Sequence, residues 1–165
     1  GTADATVLAD NFEFCAPFIG PLPRDEYLAA LESFKIEDAF EVRPNWHAFR
    51  VDPFQPNRVW FVSRVHAVHN GKKSAAFGEP TGKELEFPPQ SFSLIFDEAG
   101  KVTEFTVGYP IDRRVGNTGG LGGAFGYFWG VGRPLPFPEA KPYRKSWQLR
   151  SLGLINRLAK LLKRS

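Results

Sequence analysis

The most constraining feature of the sequence is a pair of β-strand patterns joined by a four-residue turn. Ser91–Phe96 and Lys101–Tyr109 both alternate apolar and polar side chains, as strands with one buried face do. The connection, Asp97-Glu98-Ala99-Gly100, is short and ends in glycine, which is typical of a tight antiparallel hairpin. The two segments therefore predict neighbouring antiparallel strands in a sheet that packs one apolar face against a core.

Other strand and helix patterns precede this hairpin. The segment Val59–His69 is rich in β-branched and aromatic residues and closes with Asn70-Gly71, a strong hairpin signal. Asp25–Phe34 predicts a helix, because acidic residues open it and apolar residues recur at helical spacing. Further strands are expected at Phe12–Ala16, Trp46–Asp52 and Gly82–Phe87. An early helix followed by consecutive antiparallel strands favours an α+β fold, and 165 residues suffice for one domain.

A glycine-rich aromatic segment, residues 116–140, follows the body of the domain, which we take to be residues 1–115. Residues 116–132 contain eight glycines together with Phe125, Tyr127, Phe128 and Trp129. Glycines spaced four apart would give a helix a flat face that lets another backbone approach closely. Two interpretations stay open: a docking element or flexible lid over a pocket, and a loop that wraps its own domain.

The tail, residues 141–165, is strongly basic. It holds eight Lys and Arg and no acidic residue, whereas the rest of the chain holds 13 basic and all 18 acidic residues. Apolar residues recur in it at helical spacing, which predicts a basic amphipathic helix; they are Leu149, Leu152, Ile155, Leu158 and Leu162.

Such a helix packs on the body, lies on an anionic membrane surface or docks into a protein. Because the tail has no acidic residue for internal pairing, we favour an intermolecular role. The expected contact regions are residues 119–132 and 144–164, with a protein partner or an anionic membrane surface on the other side. Nucleic acid is disfavoured as a partner, because aromatic residues are not interleaved with the basic ones after Trp147.

Two stretches of the body carry a family resemblance. DNFEFCAPFIGPLPRDEYLAAL, which starts at Asp10, and FDEAGKVTEFTVGYPIDRR, which starts at Phe96, resemble the SnoaL-like branch of the NTF2-like superfamily. The resemblance covers roughly Val7 to Arg114. It implies an α+β cone, in which a curved antiparallel sheet wraps helices around a pocket, and it makes a homodimer through the outer sheet face one expected assembly. A weaker resemblance is to uncharacterised SnoaL-like proteins of photosynthetic algae.

Alternation along the strands proposes which side chains would line the pocket of such a cone. The chain has 16 phenylalanines, which indicates either a very aromatic core or a pocket for a flat apolar ligand. The candidate ligand-binding residues are Trp60, Phe61, Phe92, Leu94, Phe105 and Val107.

Four polar residues are candidates for catalysis in the pocket: His66, Arg64, Tyr109 and Asp112. His66 and Arg64 are two residues apart and would share a strand face, and an imidazole moves protons near neutral pH; the alternative is a solvent-facing surface or an ion pair. The resemblance implies an acid or base at Asp112, since SnoaL-like cyclases carry an acidic residue near the end of that strand. Flanking arginines would instead hold Asp112 ionised in a structural salt bridge.

These observations lead to two functional hypotheses. The first is a module that binds a small apolar ligand or assembles, docking on a partner through its glycine-rich segment and tail. The second is an isomerase, cyclase or hydrolase acting on a small apolar substrate in the cone. No cofactor or metal site is predicted, because CxxC, HExxH and phosphate-loop motifs are missing from the sequence. The single cysteine, Cys15, favours a reducing intracellular compartment, a plastid if the algal resemblance holds.

Overall fold

The computed structural model describes residues 2–162, apart from the side chains of 158–161. A six-stranded sheet with the order β2-β1-β9-β8-β5-β4 forms the body, and a three-stranded sheet with the order β3-β6-β7 lies in the same chain. The strands are β1 Leu8–Ala16, β2 Ile19–Pro23, β3 Glu41–Arg43, β4 His47–Val51, β5 Arg58–Ser63, β6 His66–Val68, β7 Glu84–Glu86, β8 Gln90–Phe96 and β9 Val102–Pro110. The α-helices are α1 Arg24–Phe34, α2 Ile36–Ala39, α3 Gly123–Gly130 and α4 Trp147–Leu162.

The predicted hairpin forms the centre of the six-stranded sheet. β8 and β9 pair antiparallel, and Gly100 closes their turn with a φ of 75°, a left-handed conformation that glycine adopts without steric cost. The amide of Asp97 donates to the carbonyl of Lys101 across the turn. β1 pairs with β9 in parallel, whereas the other neighbours in this curved sheet are antiparallel. The expected mixed α+β architecture is confirmed.

Helix α1 packs across one end of this sheet. Asp25 and Glu26 lie in its first turn, where the helix dipole favours negative charge. The helix ends at Lys35, whose left-handed backbone lets its amide donate to the Leu31 carbonyl. Tyr27 is buried against the sheet, so the helix supplies one wall above the sheet.

The segment expected to be a single strand, Val59–His69, is two strands in two sheets. β5 ends at Ser63 and pairs with β8, and β6 begins at His66 and pairs with β3 and β7. The Asn70-Gly71 hairpin prediction was also wrong: β6 reaches β7 through residues 69–83. Gly71 instead approaches the backbone of Asp38 and Ala39, where an added Cβ would lie 2.1 Å from the Asp38 carbonyl oxygen.

The glycine-rich segment packs on its own domain. Tyr127 and Phe128 of α3 are buried in a core cluster with Phe77, Leu85 and Phe87. This cluster covers the small sheet, while a second cluster lies between α1 and the large sheet. Tyr127 and Phe128 therefore form part of the domain core, so this part of the segment packs on its own domain.

Helix α4 extends from the body, and both of its faces are exposed over residues 147–157. Trp147 is 74% exposed and Ile155 is 58% exposed, and of residues 147–157 only Ser151 is partly covered. Among the described residues, no helix combines the length and the apolar character needed to cross a membrane.

Candidate functional site

A row of aromatic rings crosses one face of the large sheet. Phe61, Phe92 and Phe105 stack from β5 through β8 to β9, with ring centroids 5.6 Å and 6.0 Å apart. Phe14 on β1 continues the row, 5.6 Å from Phe105, and stacks on Tyr27 of α1 at 4.9 Å. The strand register explains the row, because Phe61 pairs with Phe92 and Phe14 pairs with Phe105 across neighbouring strands.

A cavity of about 940 Å³ opens over part of this aromatic row. Its walls are the sheet face, residues 16–19 at the β1–β2 turn, α1 with Ile36 at the start of α2, residues 120–125 before and in α3, and residues 138–144. Side chains on the sheet and α1 side are Phe14, Leu22, Tyr27, Ala30, Leu31, Phe34, Ile36, Phe92, Phe105, Val107 and Tyr109. The volume falls within the range of small-molecule sites, which are mostly apolar with a few polar groups.

Gln90 is the buried polar side chain in this cavity wall. It is 8% exposed, and its amide nitrogen donates to the Gly108 carbonyl oxygen at 2.8 Å. Gly122 lies against the same amide, since a Cβ there would be 2.3 Å from Oε1 of Gln90. Glycine at this position therefore lets the segment before α3 approach the sheet closely enough to close one wall.

The exposed rim of the cavity carries most of its charge. Arg113, Lys141 and Arg144 contribute positive charge and Glu139 contributes negative charge. The Arg113 guanidinium lies over two tyrosine rings, 5.6 Å from the Tyr109 centroid and 5.3 Å from the Tyr143 centroid. The arrangement is an apolar chamber with a cationic, aromatic entrance.

Of the six predicted ligand-binding residues, three line the cavity, two lie outside its lining and one, Trp60, lies on the opposite face of the sheet. Phe92, Phe105 and Val107 line the cavity. Phe61 stacks on Phe92, and Leu94 packs in the cluster between sheet and helix, but the cavity lining does not include either residue.

The assignment of Trp60 to the pocket is wrong, because Trp60 lies on the opposite face of the sheet. Its register partner is Ser93, the neighbour of Phe92, and consecutive strand residues point to opposite faces. Its indole Nε1 donates to Oδ2 of Asp52 at 2.6 Å, and Arg58 lies over its ring. Trp60 and Phe61 cannot both face one pocket.

The four predicted catalytic residues do not converge. Tyr109 lies at the cavity rim, whereas His66, Arg64 and Asp112 are outside the lining. His66 is on the small sheet, with Nε2 3.7 Å from a carboxylate oxygen of Glu84. Arg64 is exposed in the link between the two sheets, so the strand-face relation assumed for His66 and Arg64 is lost where the strand divides.

Asp112 forms the structural pair that its arginine neighbours suggested. Its two carboxylate oxygens accept from Nε and Nη2 of Arg114 at 3.0 Å and 2.9 Å. These hydrogen bonds, with that of the Arg114 amide, lower the pKa of Asp112 to about 2. A carboxylate held ionised in this way is a poor base toward carbon, because its proton affinity is low.

Sequence reasoning missed the α1 side of the cavity. Leu31 and Phe34 were recognised as apolar helix positions, but their spacing alone does not distinguish packing against a core from facing a chamber. Gln90 carries no motif, whereas the 120–125 wall belongs to the glycine-rich segment, for which a lid over a pocket was one of the two interpretations. Over the described residues, no group of three or more His, Cys, Asp or Glu is placed to hold a metal ion.

Comparison with solved structures identifies the architecture. A candidate polyketide cyclase from Xanthomonas campestris pv. campestris matches with a TM-score of 0.50 and 15% identity, over 64% of this chain and 74% of that chain. Another, from Pseudomonas putida, gives 0.49 and 13%, over 65% and 77%. An LEH-like epoxide hydrolase of M. tuberculosis gives 0.45 and 10%, over 63% and 65%.

The sheet, α1 and the enclosed chamber define a small α+β cone. The chain has the SnoaL-like, NTF2-like fold that the sequence resemblance implied. At these identities the likeness concerns the fold alone. No family model matches the sequence, and no curated protein matches it. The comparisons give no support to the weaker algal resemblance.

Proposed function

We propose that the protein binds a small, predominantly apolar ligand inside the cone. The observation that carries this proposal is the cavity of about 940 Å³ over the aromatic sheet face. Phe92 and Phe105 line it from the sheet, and Leu31 and Phe34 line it from α1. Transfer of apolar ligand surface from water onto such walls is favourable by about 25 cal/mol per Å².

The alternative, an isomerase, cyclase or hydrolase in the same cavity, has weaker support. Tyr109 is the one proposed catalytic residue in the lining, and Glu139 is the one carboxylate there. Both are exposed at the rim, where water competes for the reacting groups and a general acid or base gains little from desolvation. We therefore place binding first and keep catalysis as the second hypothesis.

A pair of neighbouring alanines on α1 offers a direct test. Ala30 lines the cavity, whereas Ala29 is exposed outside the lining. Ala30→Phe should narrow the chamber and weaken fluorescence enhancement of a neutral probe, N-phenyl-1-naphthylamine, while Ala29→Phe should bind it like the original chain. Equal binding by both variants, each shown to be folded by circular dichroism, would place the probe elsewhere and contradict the proposal.

We further propose that α4 is the docking element and that its partner is an anionic membrane surface. The tail's eight positive charges complement anionic lipid headgroups, and its described apolar residues include the exposed Leu149, Leu152 and Ile155. Residues 119–132 are the other expected contact region, but Tyr127 and Phe128 in it are buried and so do not belong to an exposed docking surface. A docked protein and a homodimer remain the other hypotheses for assembly.

Two substitutions in α4 test the membrane proposal with the same change of charge. Ile155 lies about 80° round the helix from Trp147, whereas Gly153 lies about 160° from Ile155. Ile155→Asp should reduce co-sedimentation with phosphatidylserine-containing vesicles much more than Gly153→Asp does. If the two variants sediment equally, burial of an apolar helix face is not what holds the protein on the vesicles.

A further inference from the structure

We propose that the ligand of the cone is an amphiphilic anion, with its apolar body in the chamber and its negative headgroup at the rim. This inference rests on the proposed binding function and adds to it the chemical class of the ligand. It follows from the distribution of charge around the cavity, from the position of Arg113 and from the cost of placing an ion among phenyl rings.

The charge around the cavity is confined to one region. Arg113, Lys141 and Arg144 outnumber Glu139 among the lining residues, and all four are exposed. The positive rim contrasts with the body up to residue 140, which carries more acidic than basic residues. An entrance of this sign attracts anions and repels cations.

Arg113 is held at the entrance without a carboxylate partner. Its guanidinium lies over the rings of Tyr109 and Tyr143, and no carboxylate among the described residues comes within 4.0 Å of it. Its neighbour Arg114 shows the opposite arrangement, since it pairs with Asp112. Arg113 therefore keeps its hydrogen-bond donors for a ligand, and the planar guanidinium matches a carboxylate or phosphate.

The interior excludes the charged end of such a ligand. Phe14, Phe92, Phe105 and Leu31 offer no hydrogen bond to an ion, and one of the two N–H donors of the buried Gln90 amide is already bound to the Gly108 carbonyl oxygen. A carboxylate placed among these side chains would exchange its hydration shell for few hydrogen bonds, which is unfavourable. The headgroup is thus directed to the rim while the apolar body remains inside.

A matched pair of ligands tests this assignment. Dodecanoate and dodecanol share a chain and differ in the charged headgroup, and each can displace the neutral probe N-phenyl-1-naphthylamine at monomeric concentrations. At about pH 8, where a carboxylic acid is ionised, dodecanoate should displace the probe at a concentration about tenfold lower than dodecanol, as a charged hydrogen bond at a partly exposed site predicts.

Substitution at two adjacent positions assigns the preference to Arg113. Arg113→Gln should reduce the preference for dodecanoate by about threefold or more, Arg113→Lys should restore part of it, and Arg114→Gln should leave it unchanged. The preference is the ratio of the dodecanol and dodecanoate concentrations that displace the probe, so a change that affects both ligands equally cancels. Their thermal unfolding shows whether each variant is folded.

The outcomes separate the two proposals. If the probe binds in the chamber but dodecanoate and dodecanol displace it equally, the ligand class is wrong and the binding function stands. The proposed ligand class is also wrong, and the binding function still stands, if Arg114→Gln lowers the preference for dodecanoate as much as Arg113→Gln does. If the folded protein does not bind the neutral probe, the binding function itself fails, and the inference fails with it.

Discussion

Replacing Gly126 by alanine should destabilise the domain, although alanine is the better helix former. Gly126 is buried in α3, and a Cβ there would lie 2.4 Å from Cε1 of Phe87 and 2.8 Å from the Leu121 carbonyl oxygen. Carbon atoms in van der Waals contact are separated by about 3.5–4.0 Å. Phe87 is 2% exposed and its ring contacts Tyr127 at 4.6 Å between centroids, so it has little room to move.

The expected magnitude follows from two opposing contributions. Overpacking against fixed neighbours costs about 3 kcal/mol at the upper end of its usual range, and alanine recovers about 1 kcal/mol of helix propensity. The free energy of unfolding should therefore fall by about 2 kcal/mol. In a domain of this size, a loss of 2 kcal/mol corresponds to a Tm lowered by about 4–8 °C.

Gly153 in α4 provides the control for this substitution. It also lies inside a helix, but a Cβ at Gly153 meets no atom within 4 Å. Gly153→Ala should leave the main urea transition unchanged and raise the helical signal slightly. Urea titration followed by tryptophan fluorescence measures both variants. A Gly126→Ala protein that is as stable as the original chain would refute the close approach of α3 to Phe87.

Two polar groups, the buried His69 and the half-buried Arg58, give further predictions. Burial, followed by the charges of Arg133 and Lys83, lowers the pKa of His69. Because the unfolded chain binds the proton more readily than the folded chain, stability should fall as pH drops below about 6.5. His69→Phe should flatten this pH dependence, measured as the urea midpoints at about pH 5 and about pH 8. Arg58→Met removes the donor to Glu104 and should lower the unfolding free energy by about 1–3 kcal/mol; the exposed Arg64→Met should change it by less than about 0.5 kcal/mol.

Local patterns predicted much of the secondary structure. The β8–β9 hairpin and α1 were predictable because turn chemistry, strand alternation and helix spacing agree over each segment. The split between β5 and β6 was not predictable, since the whole segment Val59–Val68 has residues that favour a strand. Which part of it pairs in which sheet depends on the strands that lie beside it in space. β2 contains Pro21 and Pro23, which read as strand breakers yet are tolerated in this edge strand.

The candidate site was predictable on the sheet and not elsewhere. Alternation placed Phe92, Phe105 and Val107 correctly, because the side-chain period of a strand is fixed. The assignment of Trp60 to the pocket was wrong, because alternation places adjacent strand residues such as Trp60 and Phe61 on opposite faces. The rim depends on how residues 138–144 return to the sheet, and such a long-range contact leaves no local sequence pattern.

The cavity rim and α4 are adjacent along the chain. Arg144 lies at the rim and α4 begins at Trp147, so the link between them spans at most about 10 Å. If α4 rests on a bilayer, the entrance of the cone must stay close to the lipid headgroups. A lipid-like molecule would then exchange between leaflet and cone over a short path, and the speed of that exchange would depend on the vesicle surface more than on diffusion through bulk water.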